Sequence, residues 1–313
     1  MTENRTAAVV VCVASDQREG MLRACVDSLL AGTRVPDELF VVVDQNPALQ
    51  ERLASLPDAV QLMSTPRQGN SEGRNVGIRS ATSDVVAFVD DDAAVEPAWL
   101  ERMMAAFEAD DELVGAGGAV VPRFLDGRRW LPDELLWVVG CTYAGHRTDA
   151  GPIRNPIGCN MAYRREALLQ VGAFATEYGK QGDKLVICDE TELCLRLEGA
   201  FGEGRITFVP EARVLHNVPP TRITWHGLYR RCLAEGLSKG RLRRRYRDRA
   251  LASERGYVQR LVLRTVPAMA LGGALRRDSQ QVLGAAAIVM TLTVTTGAFV
   301  AGLAARAPEP SDG

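Results

Sequence analysis

Three adjacent carboxylates, Asp90, Asp91 and Asp92, close an apolar run at 85–89. Neighbouring anions repel, so a chain that sets them at the mouth of a buried strand either leaves them solvated or neutralises them with a cation. Their hard oxygen donors suit Mg²⁺ or Mn²⁺, with phosphate completing the coordination. The same acids also fit a polar loop whose aspartates cap a helix starting near Glu96. Another acid, Asp44, ends a second apolar run at 39–43, and the segment 67–77 carries Gly69, Gly73 and Gly77 beside Arg67 and Arg74. Such glycines let a backbone approach closely, and guanidinium groups fork onto phosphate oxygens. The segment is neither a Walker loop nor G-x-G-x-x-G, and a plain helix start explains its glycines as well. Farther on, Asp189, Glu190 and Glu192 open a helix. They either enrich its first turn or supply a general base to a hydroxyl. His216 stands alone in sequence and is open to a structural or a ligand role.

Side chains so far apart need strands that end together. Residues 7–13, 39–43, 60–63 and 85–89 read as strands, separated by helical patterns at 19–30, 47–56 and 71–81. In the first helix Leu22, Cys25, Val26, Leu29 and Leu30 share one face. Continuous apolar strands alternating with helices predict an α/β fold: a mostly parallel sheet with helices on both faces and ligands at the strands' carboxyl ends. Residues 97–109 predict a helix with Trp99, Met103, Ala106 and Phe107 inward, and 114–121 a strand whose Gly115, Gly117 and Gly118 allow a bulge or a ligand close to the backbone. Residues 124–148 lack a period and read as a substrate-side loop. Residues 155–163 are strand-like before a helix at 165–171, and 205–209 and 213–215 read as two short strands.

With 313 residues, 46% hydrophobic and 24% charged, the chain has ample material for a core. A net charge of -2 argues against a general nucleic-acid binder. Seven cysteines, an odd number without a C-x-x-C pair, indicate neither a disulfide framework nor a zinc knuckle and read as core fillers in a reducing compartment. Residues 7–14 are too short for a secretory signal and read as the first strand. Residues 282–305 carry no charge and, at about 1.5 Å per residue, would make a helix of about 36 Å, enough to cross a bilayer core. A buried core helix, diluted by Ala, Gly and Thr, is the other reading. Residues 230–249 are strongly basic, which with a single span would hold the main domain on the cytoplasmic face of the cell membrane. Residues 257–275, with Leu261, Leu263, Val266 and Met269, also suggest an apolar face at a membrane surface.

The order of these pieces resembles the family 2 glycosyltransferases of GT-A fold, from about residue 7 to residue 240: strand-Asp44, Gly69-Asn70-x-x-Gly73-Arg74-Asn75-x-Gly77, the acid triplet, Gly158-x-Asn160-x-x-x-Arg164, the acidic helix start with Leu193 and Arg196, and the late histidine. The resemblance implies a GT-A, Rossmann-like domain at 1–245. A basic helical linker at 246–281, a single transmembrane helix at 282–305 and a tail at 306–313 would follow. It implies inverting, metal-assisted transfer of a sugar from a UDP- or GDP-sugar to a hydroxyl acceptor, lipid-linked or not, in surface polysaccharide, glycolipid or glycosylated metabolite synthesis. Asp44, Arg67, Arg74, Asp90 and Asp91 would then contact the donor, and Asp90, Asp92 and His216 would hold Mg²⁺ or Mn²⁺. The family base is usually the second acid of a Glu-Asp pair; here the order is Asp189-Glu190, with Asp189 favoured by residue type and Glu190 by position. The helix at 229–236 lacks the Gln-x-x-Arg-Trp of processive members, which points to one sugar per encounter. A nucleotidyltransferase and a non-catalytic nucleotide-sugar binder are the alternatives; the first would release pyrophosphate, the second would bind donor without turnover.

Overall fold

A computed structural model of the chain describes residues 5–126, 130–179, 186–247 and 254–304. Its N-terminal half alternates strand and helix: β1 (Ala7–Val13), α1 (Glu19–Leu30), β2 (Glu38–Val43), α2 (Pro47–Leu53), β3 (Val60–Ser64), α3 (Asn70–Ser80) and β4 (Val85–Asp90). The strands β3, β2, β1 and β4 lie side by side and all run parallel. Successive side chains point to opposite faces, and both faces are covered. Val9, Val11 and Val13 of β1 enter one apolar cluster with Leu22, Val26 and Leu29 of α1, whereas Ala8 and Val10 enter another with Val76 and Ile78 of α3. That double burial is why β1, β2 and β4 read as unbroken apolar runs.

Beyond β4 come β5 (Ala93–Val95), α4 (Trp99–Ala109), β6 (Gly115–Phe124), β7 (Gly151–Pro152), β8 (Asn160–Arg164), α5 (Arg165–Gln170), α6 (Asp189–Phe201) and β9 (Ile206–Val218). Here the sheet is mixed: β8 joins β4 and β6 antiparallel, β6 runs parallel to β9, and β5 and β7 pair antiparallel with β9. Two expectations change. The two short strands expected at 205–209 and 213–215 are one strand of 13 residues, whose register against β6 shifts at Gly118/Val120, so the ladder absorbs the irregularity without a break. The stretch after the acid triplet is not a plain loop but forms β5 before the helix begins. Gly118 has its small side for packing rather than for a ligand, since a Cβ there would meet Ala212 O at 1.8 Å and Asn160 Nδ2 at 2.5 Å.

The stretch expected as an irregular loop contains a 3-10 helix, Asp133–Val139. Its Leu135, Leu136, Val138 and Val139 join a third apolar cluster with Leu228, Ala287 and Ile288 from the last helices. These helices are α7 (Trp225–Tyr246), α8 (Glu254–Arg260), a π-turn (Leu261–Thr265) running into α9 (Val266–Arg276), and α10 (Ser279–Ala304). Among the described residues α10 alone is long and apolar enough to cross a membrane, yet it lies along α7. Asp248 and Arg249 of the basic run, residue 305 of the expected span and the tail at 306–313 lie outside the described residues. All seven cysteines are free, six of them buried, as core fillers should be.

Candidate active site

Asp90 ends β4, and the chain turns at once into β5, whose Ala93 pairs with His216 of β9. Asn217 N donates to Asp92 O at 2.8 Å and closes this corner. The register carries His216 to the acids: its Nε2 lies 3.2 Å from Asp92 Oδ1. One ligand atom each from Asp90, Asp92 and His216 fall within 4.8 Å of one another.

The donor set fits a divalent cation on chemical grounds. Asp92 and His216 are buried, and Asp92 Oδ1 has no hydrogen-bond partner. His216 Nδ1 lies 3.5 Å from Cys141 Sγ. If Nδ1 carries the ring proton, the lone pair of Nε2 faces the carboxylate oxygen, and a cation between them relieves the repulsion. Two carboxylates and an imidazole suit Mn²⁺ or Mg²⁺.

Arginines surround the triplet. Arg18, just before α1, donates to Asp91 Oδ1 and places Nη2 3.2 Å from Asp92 Oδ2. Arg222, in the turn after β9, donates to Asp92 Oδ2 at 3.4 Å. Burial raises the Asp91 carboxyl and Arg18 only partly offsets this, leaving it pushed up to about 7. Burial works against ionised Asp92 too, but its contact with His216 and the charges of Arg18 and Arg222 hold it well below the usual carboxylate range.

A second group of acids begins α6. Cys188, the residue before that helix, has φ 75°, a left-handed conformation costing about 1–2 kcal/mol for a side chain with Cβ. Helix α7 holds it there: Cys188 Sγ donates to Glu235 Oε1 at 3.8 Å, and Ile187 N donates to Ser238 Oγ at 3.4 Å. Asp189 follows, buried, and accepts from Arg74 Nη1 at 2.6 Å and Ser71 Oγ at 3.2 Å. Arg74 Nη2 reaches Asp90 Oδ1 at 3.4 Å and Gly158 O at 3.2 Å, so one guanidinium bridges the two acid groups. Burial alone would raise Asp189, but the charge of Arg74 and hydrogen bonds from Glu190 and Ser71 overturn it and hold the carboxyl low. Glu190 keeps part of its surface accessible. Burial first, then the charge of Asp189, push its carboxyl up.

Other expected residues sit differently. Asp44 accepts from Thr65 Oγ1 at 3.0 Å and Gly69 N at 3.1 Å, so it braces the turn leading into α3 at the same carboxyl edge of the sheet. Gly69 takes φ 141°, a region reserved for glycine. Arg67 is exposed and only 3.7 Å from Glu72 Oε2. Glu192 is a structural acid, wholly buried and paired with Arg196 at 2.7 Å. Asn160 ties the sheet together, accepting from Trp99 Nε1 at 2.8 Å and donating to Ala212 O at 2.8 Å. Arg18, Arg222 and Ser71 escaped the sequence reading. Arg18 and Arg222 lie far from the triplet in sequence, and only the fold brings them to it.

Comparison with known proteins gives a consistent result. Residues 9–172 match the family model described as glycosyl transferase family 2. A glucosyl-dolichyl phosphate glucuronosyltransferase of Haloferax volcanii is 35% identical over 237 residues, covering 74% of this chain and 75% of that protein. Succinoglycan biosynthesis protein ExoM of Rhizobium meliloti is 28% identical over 229 residues, 68% of each. Among solved structures, a mannosyltransferase from Pyrobaculum calidifontis in complex with GDP-Man and Mn²⁺ superposes with a TM-score of 0.60 at 18% identity, over 94% of this chain and 88% of its own.

Proposed function

The chain belongs to glycosyltransferase family 2, and on that premise we propose that it moves one sugar per encounter, with inversion, from a UDP- or GDP-sugar to an acceptor hydroxyl. The observation that carries this reading is the Arg74 bridge, which ties Asp90 of the Asp90/Asp92/His216 cluster to Asp189 beside Glu190. A candidate cation site and a candidate base are therefore joined by one guanidinium.

Asp90, Asp92 and His216 are the residues that would hold Mg²⁺ or Mn²⁺, and the cation would neutralise charge on the departing nucleoside diphosphate. Arg18 and Arg222, each about a third exposed beside Asp92, add positive charge for the diphosphate oxygens. Asp189 is poorly suited to accept a proton, because Arg74 and Ser71 engage its carboxylate and hold it ionised. Glu190 is the better general base. The residue is partly accessible, and its raised proton affinity favours removal of the acceptor hydroxyl proton as the oxygen attacks the anomeric carbon. Asp189 then acts on Glu190 through its charge.

The Haloferax relative is described as acting on a glucosyl-dolichyl phosphate, which supports a lipid-phosphate-linked sugar as acceptor here. It also supports work at a membrane. The test is release of UDP or GDP from a donor panel with a polyprenyl-phosphate-linked sugar, in Mn²⁺, Mg²⁺ or EDTA. Metal-dependent release by the natural chain and its loss in Asp92→Ala support the reading. Equal, metal-independent release by both would overturn it.

A further inference from the structure

The C-terminal helices leave apolar surface that no described part of the chain covers. Leu263, Leu271 and Leu275 of the α8–α9 segment are 73%, 68% and 80% exposed. On α10 the exposed Val282, Val289 and Val300 recur at helical spacing along one stripe. The two segments form a hairpin through Arg277, which takes a left-handed turn conformation, and Asp278, whose N–H donates to Gly273 O at 2.9 Å.

The opposite side of α10 is committed to protein. A Cβ at Gly236 of α7 would meet Thr295 O at 2.3 Å, one at Gly240 would meet Phe299 O at 2.4 Å, and one at Gly302 would meet Leu237 O at 2.5 Å. The two helices thus touch backbone to backbone, parallel to each other over most of their length. Helix α7 cannot follow α10 into hydrocarbon: it carries Glu235 paired with Lys239 at 3.1 Å and with Arg231 at 3.6 Å, and its far side packs on Tyr178, Ile187 and Leu195. A spanning α10 would drag those charges across the bilayer or leave α7 with its glycine face bare.

We propose that the α8–α9 segment and α10 form an in-plane membrane dock, in which the exposed leucines and valines enter the headgroup boundary of an anionic phospholipid surface while α10 stays on α7 and does not cross. The occupant follows from charge. Arg260, Arg264, Arg276 and Arg277 are exposed along the same hairpin, against a single described acid side chain there, Asp278. Anionic headgroups complement that set, whereas a second copy laid face to face would set arginine against arginine. Protruding leucines that are more than two thirds exposed suit penetration of a soft surface better than a flat protein contact. The inference rests on the lipid-linked acceptor proposed above, which gives the enzyme a reason to lie at a bilayer.

The test uses the full chain with preformed phosphatidylcholine vesicles, with and without phosphatidylglycerol. A fluorophore is attached in turn to Val282→Cys, Val289→Cys and Val300→Cys; native cysteines are buried except for half-buried Cys12, which is replaced by serine in all samples. The expected result is binding at least tenfold tighter to the anionic vesicles, one shared shallow depth for the three probes, and at least tenfold weaker binding for Leu263→Asp/Leu271→Asp. Probe depths that pass through the bilayer centre would establish a span and overturn the proposal. Binding to neither vesicle, or a concentration-dependent dimer broken by the same aspartates, would overturn it too. Donor stabilisation in a thermal-shift assay is read in parallel. It stays intact in the aspartate variant, so loss of the dock and loss of the transferase reading give different results.

Discussion

Arg74 and Asp189 form a buried ion pair between the two acid groups, with Nη1 donating to Oδ2 at 2.6 Å between side chains that are 5% and 8% exposed. The guanidinium also stacks over Phe174, 5.3 Å from the ring centroid. An ion pair this buried adds little stability over an apolar replacement of both partners, but losing one partner strands the other charge.

Replacing Arg74 by Met is therefore expected to destabilise the fold by about 3–5 kcal/mol. A urea midpoint measurement reads this. Arg74→Met/Asp189→Asn should recover part of the loss, because the stranded carboxylate is gone.

The pH profile follows from Glu190. Its carboxyl rises from the ordinary 4.5 to about 8 through burial and the charge of Asp189. A base works deprotonated, so kcat/KM is expected to climb with pH and level off above that region. Asp189→Asn removes the neighbouring charge and should move the climb to lower pH. Between those two values the folded chain holds a proton that the unfolded chain has released, so this group's contribution to stability falls as pH rises. A profile flat from pH 5 to 9 would contradict the assignment.

The cation cluster predicts stabilisation without donor. Mn²⁺ at about 100 times its dissociation constant should add about 2.7 kcal/mol, reversed by EDTA. Asp92→Ala and His216→Ala should each abolish most of the thermal shift, whereas Arg67→Ala, which removes an exposed side chain, should not.

Packing at the sheet's irregular ladder gives a further case. Gly118→Ala forces a methyl against Ala212 O, a backbone atom that cannot swing away, and is expected to cost about 1–3 kcal/mol or more. Thermal unfolding measures it, and an unchanged midpoint would mean that β6 and β9 separate more easily than their register implies.

The parallel half of the sheet was legible because β1, β2 and β4 are apolar on both faces, and Asp44 and Asp90 mark strand ends in sequence. Pairing of Asp92 with His216 was not legible as geometry. It depends on β5, three residues long, whose alternation is too short to register and whose partner β9 lies far along the chain. Arg18 and Arg222 were missed for the same reason. The proposal of Glu190 over Asp189 rests on Arg74 and Ser71, which hydrogen-bond to Asp189, a difference that residue type cannot express. The 3-10 helix at Asp133–Val139 hid because it is only seven residues long and its apolar residues enter a cluster shared by α7, α10, β6 and β9, which no local period reveals.

The most direct test of the account is the turnover of Glu190→Gln beside its donor affinity. Loss of a positioned base predicts a fall in kcat of about 10²–10⁴-fold with donor binding retained within about threefold, because the amide keeps shape and hydrogen bonding but cannot take the proton. A Glu190→Gln enzyme that transfers sugar at the natural rate, while Asp189→Asn is inactive with donor still bound, would contradict it.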